Sequence, residues 1–390
     1  MATKKYDYMV MGGGFAGLST AYALAKAKAG KICIIEKEYK LGLGASSKNA
    51  SMLCQLVRDP ITCGFMIDSV KSITEQWSKE FKKAPFLNCG SLHIGRLDDL
   101  RPFATSVEVA SGKGVMTALL SRKETLARFQ HLKSAEFEAA LWCPSDGVID
   151  TQALIDGLTQ VCKDMGVSIF KSTNGLPQKD SEGYFILQTS PTRNFRSKVL
   201  INAAGAWVNQ VNQKLTAQNI QTKAMRRHIF ITQDFEETQT HKPIVWDVDH
   251  EIYYRPHNKA LLLSPCDEEE FAPGTTEVDL KAKELLLQKS KHFLPEIQNT
   301  KFSRMWSGLR TFSPDKRFVI GWDAECKNLF WNACLGGYGL TASAAAGKLA
   351  SDLILGKKAE PLYTQAYNPN RFANIPTTSP DLELAQQDQR

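Results

Sequence analysis

The chain of 390 residues lacks the features that mark membrane, metal-binding and nucleic-acid-binding proteins. No stretch approaches the ~20 consecutive apolar residues that a membrane-spanning helix needs. The nine cysteines are scattered and never spaced C-x-x-C, which excludes zinc or haem sites of that kind and argues against a disulfide framework. The net charge of +7 forms no long basic block, so no nucleic-acid partner is expected.

A signal peptide and a histidine motif are also missing. The first residues, MATKK, lead into an apolar segment without the apolar core of a signal peptide. The seven histidines form no H-E-x-x-H pattern, and no metal is expected. These absences predict free thiols and a cytoplasmic location, with peripheral attachment at the inner membrane left open.

The composition that is present is that of an ordinary globular protein. Hydrophobic residues make up 43% and charged residues 23%, which excludes wholesale disorder and collagen-like structure. A chain of this length predicts two or three domains.

The first 36 residues are typical of a strand–helix–strand unit. An apolar strand over 6–11 precedes a glycine turn, an Ala- and Leu-rich helix over 15–29 follows, and a β-branched strand covers 31–36. Gly30 is placed as the cap after the helix. The unit predicts a sheet with a helix packed on one face.

The turn in this unit carries glycines at the spacing G-x-G-x-x-G, with Gly12, Gly14 and Gly17. The first glycine permits the tight turn, the second lets a pyrophosphate approach the backbone, and the third lets the helix pack closely on the strand. Free N–H groups and the helix dipole then face a diphosphate. Glu36 ends the second strand, where an acid accepts hydrogen bonds from ribose hydroxyls and repels a 2′-phosphate. A dinucleotide site follows, with FAD and NAD both open.

Periodicity and punctuation predict further elements along the chain. For the helix expected over 151–165, the N-cap is Asp150 or Thr151. Helices are expected over 67–82, 151–165, 279–293 and 341–355, and strands over 167–171, 183–189 and 197–202, with further strand candidates within 228–264.

Five motifs then occur in a recognisable order. They are GGGFAG with Glu36, ASSKNAS (45–51), NAAGAW (202–207), W-x-G-L-R (306–310) and GGYG (336–339). This set resembles the D-amino acid oxidase superfamily of FAD-dependent oxidoreductases, which includes glycine and sarcosine oxidases. The resemblance covers residues 6–356, and the C-terminal half most resembles the D-arginine dehydrogenases.

The resemblance implies an α+β flavoprotein fold with two interleaved domains. A Rossmann-like FAD-binding domain would take residues 1–60, 145–222 and 300–372. A substrate domain with an antiparallel sheet would take 61–144 and 223–299, and 373–390 would be a polar tail.

The resemblance also selects FAD over NAD. Gly308 stands about where monomeric sarcosine oxidases carry the cysteine that attaches FAD, so non-covalent FAD is expected. The helix after GGYG would turn its positive end towards the flavin. The residues expected to bind FAD are Gly12, Gly14, Phe15, Ala16, Gly17, Glu36, Lys37, Ser46, Ser47, Asn49, Ala50, Ser51, Ala203, Gly205, Gly308, Gly336, Gly337, Tyr338, Gly339, Leu340 and Thr341.

Four residues are implied on the substrate side: Arg310, Arg227, Tyr253 and Gly337. Arg310 lies in the G-L-R motif, where the superfamily holds the substrate carboxylate, and a guanidinium matches that group with two parallel donors. Arg226 precedes Arg227 and leaves the register open by one residue. Of the neighbours Tyr253 and Tyr254, only one can line the site if this segment is a strand.

The implied activity is oxidative deamination of a D-amino acid or of an N-methyl (secondary) amino acid. A hydride passes from the substrate α-carbon to flavin N5, and the resulting imine hydrolyses to an oxo acid; no general base is assigned. Met52, Cys54 and Val57 fall where D-arginine dehydrogenase carries polar and aromatic groups, so an apolar or small substrate is expected. A 2-hydroxy acid dehydrogenase and a flavin-binding subunit without turnover remain alternatives, and the electron acceptor, oxygen or a quinone, is left open.

Overall fold

The structure, a computed structural model, describes residues 3–81, 85–190, 193–235 and 242–373. Its strands form an eight-stranded, a nine-stranded and a three-stranded sheet. In chain order the strands are β1 (Lys4–Met11), β2 (Ile32–Ile35), β3 (Met52–Leu53), β4 (Phe86–Asn88), β5 (Ser91–Gly95), β6 (Ala118–Ser121), β7 (Ala139–Cys143), β8 (Gly147–Ile149), β9 (Ser168–Phe170), β10 (Gln178–Lys179), β11 (Phe185–Ser190), β12 (Arg193–Asn202), β13 (Lys223–Thr232), β14 (Ile244–Asp247), β15 (Ile252–His257), β16 (Ala260–Ser264), β17 (Glu269–Glu270), β18 (Phe302–Phe312), β19 (Val319–Trp322) and β20 (Leu329–Ala333).

The helices lie mainly around the eight-stranded sheet and at the outer side of the nine-stranded one. The α-helices are α1 (Phe15–Lys26), α2 (Pro60–Ser72), α3 (Ser78–Glu80), α4 (Leu97–Leu100), α5 (Ala104–Gly112), α6 (Arg122–Arg128), α7 (Thr151–Asp164), α8 (Val208–Val211), α9 (Leu280–Ser290), α10 (Ser343–Ile354) and α11 (Pro361–Tyr367).

The eight-stranded sheet is Rossmann-like. Its parallel centre has the order β20-β12-β1-β2-β9, and β10, β11 and β19 join antiparallel. All four residues of β2 are buried, as expected for a strand covered on both faces. Ile32 and Ile34 pack in the core that contains α1 and α7, while Cys33 and Ile35 pack with Phe185 of β11. The predicted strand–turn–helix–strand unit is confirmed.

The nine-stranded sheet is antiparallel except where β14 runs parallel to β5. Its order is β17-β13-β16-β15-β14-β5-β7-β6, and β18 pairs with β13. The β13–β18 ladder extends from the pair Lys223 and Phe312 to the pair Thr232 and Phe302. The predicted class, an α+β fold that combines a Rossmann-like part with an antiparallel sheet, is therefore confirmed.

The ladder bears on the expected domain bounds. Residues 302–312, assigned from the sequence to the FAD-binding domain, form β18 and hydrogen-bond within the nine-stranded sheet. Conversely α2, assigned to the substrate domain, packs on α10 and places Phe65 in the core with Tyr363 and Tyr367. The bounds themselves stay a prediction.

Helix starts follow the capping rules, with one departure in the middle of a helix. Asp150 caps α7 by accepting from Ala153 N at 2.9 Å, as the sequence predicts. The helix expected over 67–82 begins earlier, at Pro60 after the cap Asp59, and continues as a π-helical turn, Ile73–Trp77, into α3. Apolar spacing alone does not distinguish a π-turn from α-helix.

A buried acid links the three-stranded sheet, β3-β8-β4, to the nine-stranded sheet. Asp146 is fully buried in the turn between β7 and β8. Its carboxylate accepts from Ser91 Oγ of β5 at 2.6 Å and from the Gln55 backbone N at 3.1 Å. Burial raises the pKa of Asp146 to about 6 because water no longer stabilises the charged form.

Two chain-wide features complete the fold. Within the described ranges, no helix has the length and hydrophobicity needed to cross a membrane. The nine cysteines are free thiols, seven of them buried. The predicted polar tail, beyond Ala373, lies outside the described residues.

Candidate active site

Two neighbouring cavities lie between the larger sheets. The first, of about 490 Å³, is lined by the glycine turn after β1 and the ends of β2, β12 and β20, and is called the glycine-turn cavity. The second, of about 550 Å³, is lined by Arg227 and Arg310 and is called the arginine cavity. β18 is a shared wall: Leu309 and Thr311 line the first cavity, and Arg310 lines the second.

The glycine turn is tight because two of its residues touch backbone. Gly12 has φ +104°, and a Cβ there would lie 2.4 Å from Ala203 O at the end of β12. A Cβ on Gly17 would lie 1.9 Å from Gly12 O. Only glycine leaves the turn, the strand end and α1 in this arrangement.

The N-terminus of α1 faces the glycine-turn cavity without a side-chain cap on its N-cap residue, Gly14. Its first turn contains no acid. The amide of Phe15 donates to Ser46 Oγ at 3.0 Å, which places a hydroxyl beside the helix start. The N–H groups that follow Phe15 in the first turn and the positive helix end favour a phosphate here.

Glu36 closes the other side of this cavity. Its Oε2 accepts from Gly13 N at 2.7 Å, and its Oε1 accepts from Glu38 N at 2.9 Å. Burial raises the pKa of Glu36, although both backbone hydrogen bonds favour the charged form. The acid therefore fixes the glycine turn as well as facing the cavity.

In the arginine cavity, register brings two guanidinium groups together. Arg227 pairs across the ladder with Gly308, and Arg310 lies two residues further along β18, so both side chains project from the same face of the sheet. Gly308 has no side chain to fill the space between them. The pair lies diagonally across two adjacent strands.

Arg310 is buried, with 5% of its surface exposed. Its Nη2 donates to the carbonyl of Lys48 at 2.5 Å, and it forms no ion pair with any described residue. Burial and the charge of Arg227 lower the pKa of Arg310 to about 10. A buried guanidinium without a carboxylate suits a ligand that brings one.

Arg226 and Arg227, between which the sequence left the register open, have different surroundings. Arg226 points away and pairs with Glu269 and Asp279. Arg227 lines the cavity and donates to Glu268 Oε1 at 2.5 Å. Arg227 is therefore the residue of this pair that faces the cavity.

The two tyrosines of β15 divide as strand alternation requires. Tyr253 lines the arginine cavity, whereas Tyr254 packs in the core beside Phe293 at a ring distance of 5.2 Å. Burial raises the pKa of Tyr253 to about 12. Its phenol is a neutral hydrogen-bond donor at physiological pH.

His228 is held in a structural network. Its Nδ1 lies 2.6 Å from Asp267 Oδ2, and its Nε2 accepts from Asp279 N at 2.9 Å. Both ring nitrogens are thus occupied, and the pair anchors the loop that carries Glu268. Among the described residues, no group of His, Cys, Asp and Glu side chains is arranged to hold a metal ion.

Comparison with known proteins identifies the family. A sequence profile described as FAD dependent oxidoreductase (DAO) matches residues 7–353. The chain belongs to this family. It is 23% identical to glycine oxidase of Geobacillus kaustophilus (strain HTA426) over 367 residues, which cover 90% of this chain and 93% of that protein. It is 21% identical to mitochondrial sarcosine dehydrogenase of Mus musculus over 387 residues, which cover 94% of this chain and 41% of that protein.

A solved structure of similar fold is L-proline dehydrogenase from P. horikoshii. The TM-score is 0.84 at 22% sequence identity, and the match covers 95% of this chain and 99% of that one. The chain spans about half the length of several curated relatives that it matches. The resemblance to the D-amino acid oxidase superfamily and the choice of FAD over NAD are confirmed.

The glycine-turn cavity fits the FAD of this family. A phosphate-favouring helix end, a backbone cradle that a Cβ would fill, and the acid Glu36 lie around one space. Of the residues expected to bind FAD, those that line this cavity are Gly12, Gly14, Phe15, Ala16, Glu36, Lys37, Ser46, Ala203, Gly205, Gly336 and Gly339. Those that line the arginine cavity are Asn49, Ala50, Gly337, Tyr338, Leu340 and Thr341.

Four residues expected at the FAD of this oxidoreductase line neither cavity. Gly17 packs against the backbone of the turn. Ser47 is exposed, the hydroxyl of Ser51 accepts from Thr151 at 2.9 Å, and a Cβ on Gly308 would lie 2.8 Å from Lys48 Cβ.

The start of α10 also differs from the expectation for an FAD-facing helix. The helix begins at Ser343, and the amides of Ala344 and Ala345 donate to Ser69 Oγ of α2 at 3.1 and 3.2 Å. Residues Leu340 and Thr341, between the GGYG turn and this helix, line the arginine cavity. Because Ser69 is remote in sequence, no local pattern predicts this cap.

Several residues around the family's cofactor site were not predicted from the sequence. Trp207 lines the glycine-turn cavity, and the Lys37 ammonium lies 3.2 Å from its ring centroid. Trp207 ends the NAAGAW motif, which was a usable signal. Lys48 also lines this cavity, and burial together with Arg310 lowers its pKa. His93 and Arg58 of the arginine cavity belong to no motif.

Proposed function

We propose that this chain oxidises an amino acid at its α-carbon, with either a D-amino acid or a secondary (N-methyl) amino acid as substrate. The observation that carries the proposal is Arg310. It is a buried guanidinium without a carboxylate partner among the described residues, in a cavity that shares a wall with the FAD-type cavity. The names of the relatives, glycine oxidase and sarcosine dehydrogenase, support the same substrate class.

In this proposal the substrate carboxylate binds Arg310 and receives a further hydrogen bond from the Tyr253 phenol. Arg227, already paired with Glu268, adds positive charge beside the carboxylate. Bound FAD supplies the acceptor for the hydride that leaves the α-carbon. The resulting imine hydrolyses to an oxo acid and, from a primary amine, ammonia.

No side chain is proposed as a general base. Burial raises the pKa of Tyr253 and of Tyr338 to about 12, so both phenols keep their protons near neutral pH. Burial and the charge of Arg58 lower the pKa of His93 to about 4, which makes its imidazole a weak base. The protein groups orient the substrate, and a substrate amine that binds neutral needs no deprotonation.

The substrate side chain would contact a partly apolar wall. The arginine cavity is lined by Met52, Cys54 and Val57, the three positions from which the sequence predicts an apolar or small substrate. This wall argues against D-arginine as the preferred substrate.

The test is anaerobic mixing of the FAD-loaded protein with single D- and L-amino acids, sarcosine, proline and 2-hydroxy acids, while flavin absorbance is followed. Bleaching by amino acids with imine hydrolysis supports the proposal. Bleaching by hydroxy acids alone would identify a 2-hydroxy acid dehydrogenase, and no bleaching by any compound would favour a flavin-binding subunit without turnover. Reoxidation with oxygen or with a soluble quinone then identifies the electron acceptor.

A further inference from the structure

One wall of the arginine cavity is a row of four rings, called here the aromatic row. It consists of Tyr253, Trp246, His93 and Phe103, all of which line the cavity. Successive ring centroids are 5.1, 6.1 and 5.1 Å apart. The row therefore leads from the phenol beside Arg310 and Arg227 to a point three rings away.

Arg58 lies at the far end of this row. Its guanidinium carbon is 5.9 Å from the Phe103 ring centroid, and its side chain lines the cavity. Arg58 forms no ion pair with any described residue. In contrast, Arg317 of the same cavity pairs with Asp59 at 2.8 Å and Arg227 pairs with Glu268. Arg58 is thus a second guanidinium without a protein carboxylate.

His93, next to Arg58, carries an unmet hydrogen-bonding group. The residue is 4% exposed, and its Nδ1 is buried without a partner among the described residues. Since its pKa is lowered to about 4 by burial and by Arg58, the ring is neutral near pH 7 and can donate one hydrogen bond. Buried polar atoms are normally paired, so a ligand group is expected near this ring.

The surroundings of Tyr338 indicate that both ends of the aromatic row face the arginine cavity. Burial raises the pKa of Tyr338 to about 12, and the positive charges of Arg227 and Arg58 both oppose that rise. Both guanidinium groups therefore act on one phenol that lines the cavity.

We propose that Arg58 and His93 form a second anion subsite, so that the substrate is an amino acid with an acidic side chain and not the apolar or small one expected from the sequence. This inference rests on the proposed function. The α-carboxylate binds Arg310 and the side-chain carboxylate binds Arg58, with Val57 and the aromatic row forming the cavity wall beside the substrate. A monocarboxylic amino acid would leave the Arg58 guanidinium unused, whereas a second carboxylate can accept two parallel hydrogen bonds from it.

The test compares acids with their neutral counterparts of equal length. Anaerobic flavin reduction is measured with both enantiomers of aspartate, asparagine, glutamate and glutamine. We expect kcat/KM for the better acid to exceed that of its amide by at least about tenfold, since a hydrogen-bonded charged group contributes about that much. Equal values for acids and amides would overturn the subsite.

Variants assign the preference to Arg58. Arg58→Met keeps the length of the side chain and should reduce the acid-to-amide ratio to about one, while Arg58→Lys should restore part of it. Arg101→Met is the matched control, because Arg101 is exposed, pairs with Asp98 and lies outside the cavity. It should leave the ratio unchanged. FAD content and melting temperature of each variant show whether it has folded, and an unaltered ratio in a folded Arg58→Met protein contradicts the proposal.

A binding measurement separates this inference from the proposed function. Glutarate and valerate are titrated as inert ligands while the flavin spectrum is followed. If no amino acid reduces the flavin but glutarate still binds about tenfold more tightly than valerate, and only when Arg58 is present, the subsite stands and amino acid oxidation fails. If amino acids are oxidised without any preference for acids, and glutarate binds no better than valerate, amino acid oxidation stands and the subsite fails.

Discussion

The glycine-turn cavity is shaped by backbone, whereas the arginine cavity is shaped by side chains. In the first, Gly12 and Gly17 bring main chain to within contact of main chain, and the amides of α1 face the space. In the second, the side chains of Arg227, Arg310 and Tyr253 project from strands β13, β18 and β15 of the nine-stranded sheet. A site formed by backbone contacts accepts few residue types at each position, so it is visible as a sequence motif. A site formed by side chains can bind a different ligand after substitution, while its backbone stays the same. The comparison predicts different costs of mutation in the two regions.

The largest effect is expected in the backbone cradle. Gly12→Ala should prevent FAD retention, because the new Cβ meets Ala203 O at 2.4 Å and the residue keeps φ +104°. Strain and overlap together should cost about 3 to 5 kcal/mol. FAD content after gel filtration and the melting temperature with added FAD measure this effect. Gly112→Ala, at an open position at the end of α5, is the control; equal FAD retention in both variants would break the comparison.

In the arginine cavity, removal of the carboxylate anchor should affect substrate and spare the cofactor. Arg310→Met should raise KM and lower kcat/KM on the order of 10³-fold, since an unpaired buried carboxylate costs about 4 kcal/mol. The absorbance ratio of bound flavin to protein should remain that of the wild type. Steady-state kinetics on the substrate identified by flavin bleaching provides the measurement. Loss of FAD with unchanged KM would show that Arg310 supports the glycine-turn cavity and does not bind the substrate.

The buried acid between the three-stranded and nine-stranded sheets should make stability depend on pH. The folded-state pKa of Asp146, about 6, lies above its ordinary 3.8, so protonation stabilises the native state fully below pH 4. This contribution is lost as pH rises through about 6. Asp146→Asn, which cannot ionise, should therefore gain up to about 3 kcal/mol of stability relative to wild type between pH 4 and 7. Urea unfolding across this range tests the shift, and parallel pH profiles would contradict it.

The smallest effect is expected from neighbouring tyrosines on opposite faces of β15. Tyr253→Phe should reduce kcat/KM about fivefold, as the loss of one hydrogen bond of about 1 kcal/mol predicts. Tyr254→Phe should leave kcat/KM within about twofold, because that ring packs in the core away from the cavity. These two variants compare a cavity residue with a core residue on the same strand. Equal losses of kcat/KM in both would show that the two hydroxyls affect the stability of the fold and not substrate binding.

The sequence predicted the glycine turn, Glu36, the capped helix after Asp150 and the arginine of G-L-R because each of these depends on local geometry or on a short motif. It could not predict that β18 joins the nine-stranded sheet, because strand pairing between residues 223–232 and 302–312 is a long-range choice. Nor could it find Arg58 and His93. Their position depends on Phe103 and Trp246, which approach from separate elements, and none of the four lies in a motif.

The loop from Ser46 to Lys48 touches both cavities. Ser46 accepts from the first amide of α1, and the carbonyl of Lys48, two residues later, accepts from Arg310. A ligand in one cavity that fixes the position of this loop should raise the affinity of the other cavity for its ligand. Thermodynamic linkage makes this effect reciprocal. A carboxylate inhibitor should therefore lower the Kd of FAD by the same factor by which FAD lowers the Kd of the inhibitor. The affinity for cofactor and the affinity for carboxylate would then be coupled through the carbonyl oxygen of Lys48.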